Sequence, residues 1–449
     1  MSLHRKNIGL PLFFSLIVLT AISGCGSPFM RNILNSKPGS LRHPFEVKNE
    51  SDLLCIGNPD SSHHDWGLDK HYIQVESFEI ITYSWEPIGS VSKPFTGSYN
   101  GQGHSIKNLS IITGSSEEYI GLFGFIETPG ADKDRGVVKN VILDNVQILH
   151  PNNKFVGALV GYNNRGTVEN CTSSGSINGN EQIGGIVGRN KGIILGCSSS
   201  GSVNGKMYIG GVAGMNEGGT VKNSFSFSEI QGDTGVGGVI GYNFGGVKYC
   251  YSAGGIKQND GGYNIGGIVG ENEYPGTVSN CYSTSNISAI ASSSIGGVVG
   301  LNAHGSIIEN CYATGVVSGL DIIAGITGWN YGTVENCVAL NIEIIYINLT
   351  IGRVVAITEI TGVLKNNFGL DHMPPNYGTW YNPTGNEFNG ANVHENDHGA
   401  DPPGSIGYKD FDFWNLVVGF DFSGSAWKWK SGCLPYLLND TPTMPGHLQ

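Results

Sequence analysis

The chain has 449 residues, of which 69 are glycine and only 14% are charged; 37 acidic against 25 basic residues leave a formal charge of −12. That balance lacks the basic surface needed to follow a phosphate backbone, so nucleic acid is not an expected partner. The glycines do not fall at every third position as in collagen, and length sets no domain count once a repeat is present, because repeat arrays grow by adding units.

At the N-terminus His4, Arg5 and Lys6 precede an apolar run over residues 8–22, interrupted by Pro11 and ending at Ser23-Gly24-Cys25. The run is too short for a membrane span and reads as a secretory signal peptide over residues 1–25. Ile22-Ser23-Gly24-Cys25 resembles a bacterial lipobox, which implies cleavage before Cys25 and lipid attachment to its thiol. By resemblance to the Gram-negative sorting rule, Gly26 in the next position implies the outer membrane. Residues 26–43 are polar and aperiodic, a flexible tether. Residues 44–118 are expected to hold an N-terminal cap and lead-in coils, with residues 50–56 patterned as a short amphipathic helix. The cluster His63-His64-Asp65 lies in a Ser/Pro/Asp loop and reads as a solvated turn in preference to a metal site.

Residues 119–370 repeat. An apolar run, a glycine, one variable residue and an asparagine recur, with glycines at Gly161, Gly188, Gly214, Gly241, Gly270, Gly300 and Gly328, 26 to 30 residues apart. Each unit offers three β-rich pieces, as in Ile183-Gly184-Gly185-Ile186-Val187-Gly188, Ile193-Ile194-Leu195 and Gly201-Ser202-Val203-Asn204-Gly205. Three strands and three bends of that length predict an all-β fold, a single-stranded parallel β-helix with three sides and a cap at each end. In the middle piece Val168, Ile194, Val221, Val247, Val278, Ile308 and Val334 point inward. The next residues, Glu169, Leu195, Lys222, Lys248, Ser279, Glu309 and Glu335, suit only a solvated face.

Asn163, Asn190, Asn216, Asn243, Asn272, Asn302 and Asn330 form one unbroken column, expected to be a structural ladder at a coil corner, where left-handed backbone and amide-to-amide bonding both favour asparagine. A second, looser column runs Asn170, Asn223, Asn280, Asn310, Asn336 and Asn366, interrupted by Gly196 and Tyr249. Cys171, Cys197, Cys250, Cys281, Cys311 and Cys337 share a column too. Neighbours about 4.8 Å apart with parallel Cβ vectors do not suit a bridge, which wants about 3.8 Å between Cβ atoms, so free buried thiols are expected. Phe225, Tyr251, Tyr282 and Tyr312 follow these cysteines and are expected to point outward as a stacked stripe, either a binding surface for a glycan or protein ligand or simply mutual stacking.

Beyond residue 371 the period stops. The segment 371–449, with four of the seven tryptophans, reads as a closing cap, with an aromatic binding site as the other possibility. His394-Glu395-Asn396-Asp397-His398 spells a zinc-protease pattern, but that pattern needs a helix, and Gly385, Gly390, Gly399, Pro402, Pro403 and Gly404 surround it. No cofactor or metal is expected.

The recurrent Gly-Gly-Ile-Val-Gly, Gly-Thr-Val-x-Asn-Cys-Tyr and Gly-x-Val-x-Gly segments resemble the GLUG motif of bacterial surface proteins. The lead-in around Trp85-Glu86-Pro87-Ile88-Gly89 and the closing Leu434-Pro435-Tyr436-Leu437 are similar to those proteins as well. The resemblance implies a right-handed β-helix, in keeping with β-sheet chirality, at the cell surface and often adhesive or glycan-associated. It carries over no catalytic residue. The expected function is that of a lipid-anchored cell-surface protein for adhesion or scaffolding. A polysaccharide-degrading lyase or glycoside hydrolase, using carboxylates such as Glu309 and Glu335 on adjacent coils, is the enzyme alternative, and a purely architectural envelope protein is a third.

Overall fold

A computed structural model describes residues 37–112, 118–259, 261–347, 350–370, 391–393, 407–423, 427–431 and 433–437. Cys25, Trp380 and the histidine motif at 394–398 lie outside the described residues.

The repeat folds as expected into a parallel β-solenoid. One turn runs through Val187–Asn190, Ile193–Leu195, Ser198–Asn204 and Met207–Gly210, and Ala213–Asn216 then begins the next turn directly above the first of these. Among the described residues, like strands stack into three long parallel sheets: sheet I of 12 strands, sheet II of 25 and sheet III of 9. Sheet II is the widest because most coils give it two strands. The register equates Ile194 with Val221, Val247 and Val278, all fully buried.

The apolar run of residues 183–188, expected as one strand, instead turns a corner. Glu181–Gly184 closes sheet II and Val187–Asn190 opens sheet III. A Cβ on Gly184 would strike the Val187 carbonyl, and one on Gly185 the Gly211 carbonyl and the Ser199 side chain. The double glycine is therefore the bend itself. An inward serine column fastens that bend from inside: Ser173 and Ser199 hydroxyls donate to the Gly185 and Gly211 carbonyls at 2.7 and 2.5 Å.

The two asparagine columns divide between them the two duties, amide ladder and left-handed corner, expected of the unbroken one. The unbroken column is fully buried and carries no left-handed residue. Left-handed backbone sits in the looser column, at Asn170 (φ 52°), Asn223 (52°), Asn280 (54°), Asn310 (54°) and Asn336 (54°). Gly196 (65°) and Tyr249 (57°) occupy the same corner on their coils. A positive φ is the condition glycine and asparagine share, which explains that interruption.

A second left-handed column precedes sheet III at Gln182, Tyr208, Gly235, Asn264, Ser294 and Ile322. A β-branched residue at φ 55° is strained, so Ile322→Asn is expected to raise the unfolding free energy by about 1 kcal/mol, read from a urea melt.

The six column cysteines are buried and free, each thiol within 3.1–3.5 Å of the carbonyl two residues earlier. Burial pushes the Cys171, Cys250 and Cys311 thiols well up, so they act as small apolar residues.

At the N-terminal end the helix Glu50–Leu53 is capped by Asn49, whose side chain accepts from the Asp52 amide at 3.0 Å. Leu53, Cys55 and Ile56 pack into the same core as Trp66, Tyr72 and Phe95. At the other end a wide helical turn, Phe413–Val418, and the antiparallel pair Trp427–Lys428 and Tyr436–Leu437 fold back along the stack. No described helix is long and apolar enough to cross a membrane.

Candidate functional site: the outward wall of sheet III

The aromatic stripe does point away from the coil interior and does stack. Phe225, Tyr251, Tyr282 and Tyr312 are spaced 4.8, 5.1 and 4.9 Å between ring centroids, at 8°, 4° and 5° between planes. It is not an open surface, however: Tyr251, Tyr282 and Tyr312 retain only 4%, 4% and 3% exposure. The C-terminal segment lies over them. Trp427 packs against Tyr282 and Tyr312, and Trp414 against Tyr312. The Tyr312 hydroxyl donates to the Pro435 carbonyl at 2.6 Å and the Trp427 indole N–H to Asn280 Oδ1 at 2.9 Å. The stripe expected as a binding surface is thus mainly the seat of the protein's own tail, which covers the side of the stack as well as its end. Trp427→Ala is expected to cost about 3 kcal/mol and to raise hydrophobic-dye binding as Tyr282 and Tyr312 are uncovered.

A solvent-reaching wall lies elsewhere, in positions whose residues vary from coil to coil. Along each sheet III strand, side chains alternate about the buried asparagine, so the residues before and after it face outward together. These pairs are Tyr162 and Asn164, Arg189 and Lys191, Met215 and Glu217, Tyr242 and Phe244, Glu271 and Glu273, Leu301 and Ala303, and Trp329 and Tyr331. Register aligns Phe125, Tyr162, Arg189, Met215, Tyr242, Glu271, Leu301 and Trp329 in one column.

The wall is rigid because its members hold one another. The Arg189 guanidinium lies 5.2 Å from the Tyr162 ring centroid and 5.5 Å from that of Phe155, and its Nε donates to Glu217 Oε2 at 2.7 Å. Lys191 Nζ stands 3.1 Å from the other Glu217 oxygen, and that bond raises the ammonium above its usual value. Tyr242 packs against Tyr208 at 4.5 Å and Phe244 at 4.6 Å, and Trp329 against Tyr331 at 5.8 Å. The Trp329 indole donates to Glu359 at 3.1 Å. Aromatic faces beside fixed charges form a contact surface that loses little side-chain freedom on binding.

Glu271 is the one wall carboxyl pushed up, to about 7: burial raises it against an opposing 2.9 Å hydrogen bond from Asn264, and Glu273 raises it further. A carboxyl raised in the folded state binds its proton more tightly there than in the unfolded chain. Its contribution to stability is complete below the unfolded value near 4.5 and is lost as pH climbs to about 7. Glu271→Gln is therefore expected to flatten the fall in stability over that window and to leave the variant about 1–3 kcal/mol more stable at pH 8, by urea melts across pH.

The other sequence candidates separate. Glu309 and Glu335 are register neighbours on sheet I, and Glu335 also lies 3.6 Å from Lys365. Both belong to the half-exposed ladder on sheet I that includes Lys222 and Lys248. His63 stacks on Trp66 at 4.5 Å, and the His64 ring lies 3.1 Å from the Ser61 carbonyl. Among the described residues no group of three or more His, Cys, Asp or Glu could hold a metal.

Fold and wall define a parallel β-solenoid that displays a repeated outward surface. Within that solenoid, residues 153–178, 179–204, 261–288 and 291–318 are four repeats that match the GLUG motif. Halomucin of Haloquadratum walsbyi is 33% identical over 155 residues, covering 33% of this chain and 2% of halomucin. A protein of Evansella cellulosilytica, provisionally named a Gly-rich membrane protein, is 27% identical over 189 residues, 34% of this chain and 20% of its own length. The chain thus spans a small part of both relatives. A crystal structure from Bacteroides ovatus, provisionally identified as an immunoglobulin A1 protease, aligns over 89% of this chain and 93% of its own at 17% identity, with a TM-score of 0.34.

Proposed function

We propose that this is a cell-surface lipoprotein whose β-solenoid makes contacts with glycans or proteins and does not turn them over. The observation that carries the reading is the sheet III wall, where Tyr242, Phe244, Trp329 and Tyr331 reach solvent beside charged side chains and each packs against a neighbouring ring. The names of the two sequence relatives, a halomucin and a membrane protein, support a surface or membrane-associated location. In this reading Cys25 carries the lipid and residues 26–43 space the solenoid from the outer membrane.

Two measurements test it. Metabolic palmitate labelling is expected for the native chain and absent in Cys25→Ser, and a label retained in that variant contradicts the anchor. Purified protein on an array of glycans and matrix proteins is expected to bind, with at least a tenfold loss in Tyr242→Ala/Trp329→Ala. Release of reducing ends from a polysaccharide would replace contact with catalysis, and inertness towards every probe would leave an architectural role.

A further inference from the structure

The ring column of sheet II stops short, and the place where it stops is a groove. Register continues the column from Phe225 to Ser198, then to Thr172 and Ile142. Tyr251 covers one face of the Phe225 ring at 4.8 Å, and Phe227 meets its edge at 5.6 Å and 71°. On the coil beyond, where the next ring would stack, Ser198 leaves room. The result is a groove of about 220 Å³ with Phe225 and Phe227 on one side, Ile142 and Asp144 on the other, and serine and threonine hydroxyls between. Its volume suits one six-membered ring and little more.

The polar groups are set at the rim of that vacancy. The Ser198 and Thr172 hydroxyls make no hydrogen bond among the described residues. Ser174 donates to Asp144 Oδ1 at 2.9 Å, leaving the second carboxylate oxygen able to accept. Ser200 reaches only the Ser173 carbonyl, at 3.4 Å. Phe227 is 49% exposed, a cost that a partner covering it would remove. An aromatic face for C–H groups, ringed by free hydroxyls and one carboxylate, matches a molecule that is apolar on its flat face and hydroxylated at its edge.

We infer that this groove is a carbohydrate subsite in which one pyranose ring takes the vacant stacking place beside Phe225, with its hydroxyls bonded to Asp144, Ser198 and Thr172. It lies on sheet II, away from the sheet III wall, so either site can fail without the other.

Saturation-transfer difference NMR of the purified protein with methyl β-D-glucopyranoside, methyl β-D-galactopyranoside and methyl N-acetyl-β-D-glucosaminide tests it. Transfer is expected to the ring C–H protons of at least one of them, with Phe227→Ala and Asp144→Ala each weakening Kd about tenfold. Ser198→Tyr should abolish the signal by filling the place with a fifth ring, while keeping or raising Tm, so lost binding is not mistaken for lost folding. The inference is overturned by no transfer to any of the three, by undiminished transfer in Ser198→Tyr, or by pyranosides staying inert while p-cresol, a tyrosine side-chain analogue, binds there.

Discussion

Replacing Asn243 with alanine is expected to destabilise the stack by about 4–6 kcal/mol. Its amide donates to Asn272 Oδ1 at 2.8 Å and to the Gly245 carbonyl at 3.0 Å, and its oxygen accepts from Asn216 Nδ2 at 2.8 Å and from the Gly245 amide at 3.1 Å. The two amide-to-amide bonds lie in a fully buried column, where each lost partner leaves a group that water cannot reach, while the two Gly245 bonds are half-buried. The six links from Asn163 to Asn330 run donor to acceptor in one direction at 2.8–2.9 Å, so each bond polarises the next. At the N-terminal end the place below Asn163 is Ile126, and the Asn163 oxygen is left unpartnered. Because coils touch only their neighbours, the lesion should also separate the halves on either side into distinct unfolding steps in a urea melt. A loss below about 1 kcal/mol, with one unchanged transition, would show that the ladder is incidental.

The second large effect is expected from Gly270→Ala. A Cβ there would lie 2.5 Å from the carbonyl carbon of Gly235, 2.5 Å from the Val236 amide nitrogen and 2.7 Å from the Gly241 carbonyl oxygen. All three are backbone atoms of the coil below, so no rotamer change relieves the clash and the coils must part. A loss above about 5 kcal/mol, seen as insoluble or unfolded protein, is expected. Gly218→Ala is the contrast: its φ is +74° but nothing lies within 4 Å, so only the backbone preference is lost, about 1 kcal/mol. Equal effects at the two glycines would mean that coil spacing is not what the repeated glycine protects.

The sequence was most legible where one residue type has one physical use. The spacing of the glycines set the coil length, and the inward Val168, Ile194 and Val221 set the register, because a slip of one residue would expose all of them. Asparagine was harder, since both a buried amide ladder and a left-handed corner favour it. Gly196 among the asparagines of the looser column was the signal that separated the two, because glycine satisfies a positive φ but cannot join a ladder.

Long-range covering left no local trace. Trp427 meets Asn280 across 147 residues and Tyr312 meets Pro435 across 123, so no period in the repeat could announce that the stripe is roofed. The sheet III wall was hidden for the opposite reason. Its residues vary from coil to coil, as a surface without a core duty can, and only their constant position on either side of the asparagine marks them as a set.

The central claim is that successive turns lie in register at a constant rise, and spin-label distances along the wet column of sheet I measure that directly. With nitroxides at Lys222→Cys and Glu335→Cys, and then at Glu169→Cys and Glu335→Cys, the sites are four and six coils apart. In a Cys433→Ser background, with the column thiols shielded by burial, electron–electron resonance should give narrow peaks near 19 Å and 29 Å, about 4.8 Å for each coil. Broad distributions, or two distances that do not scale as four to six, would contradict the in-register solenoid.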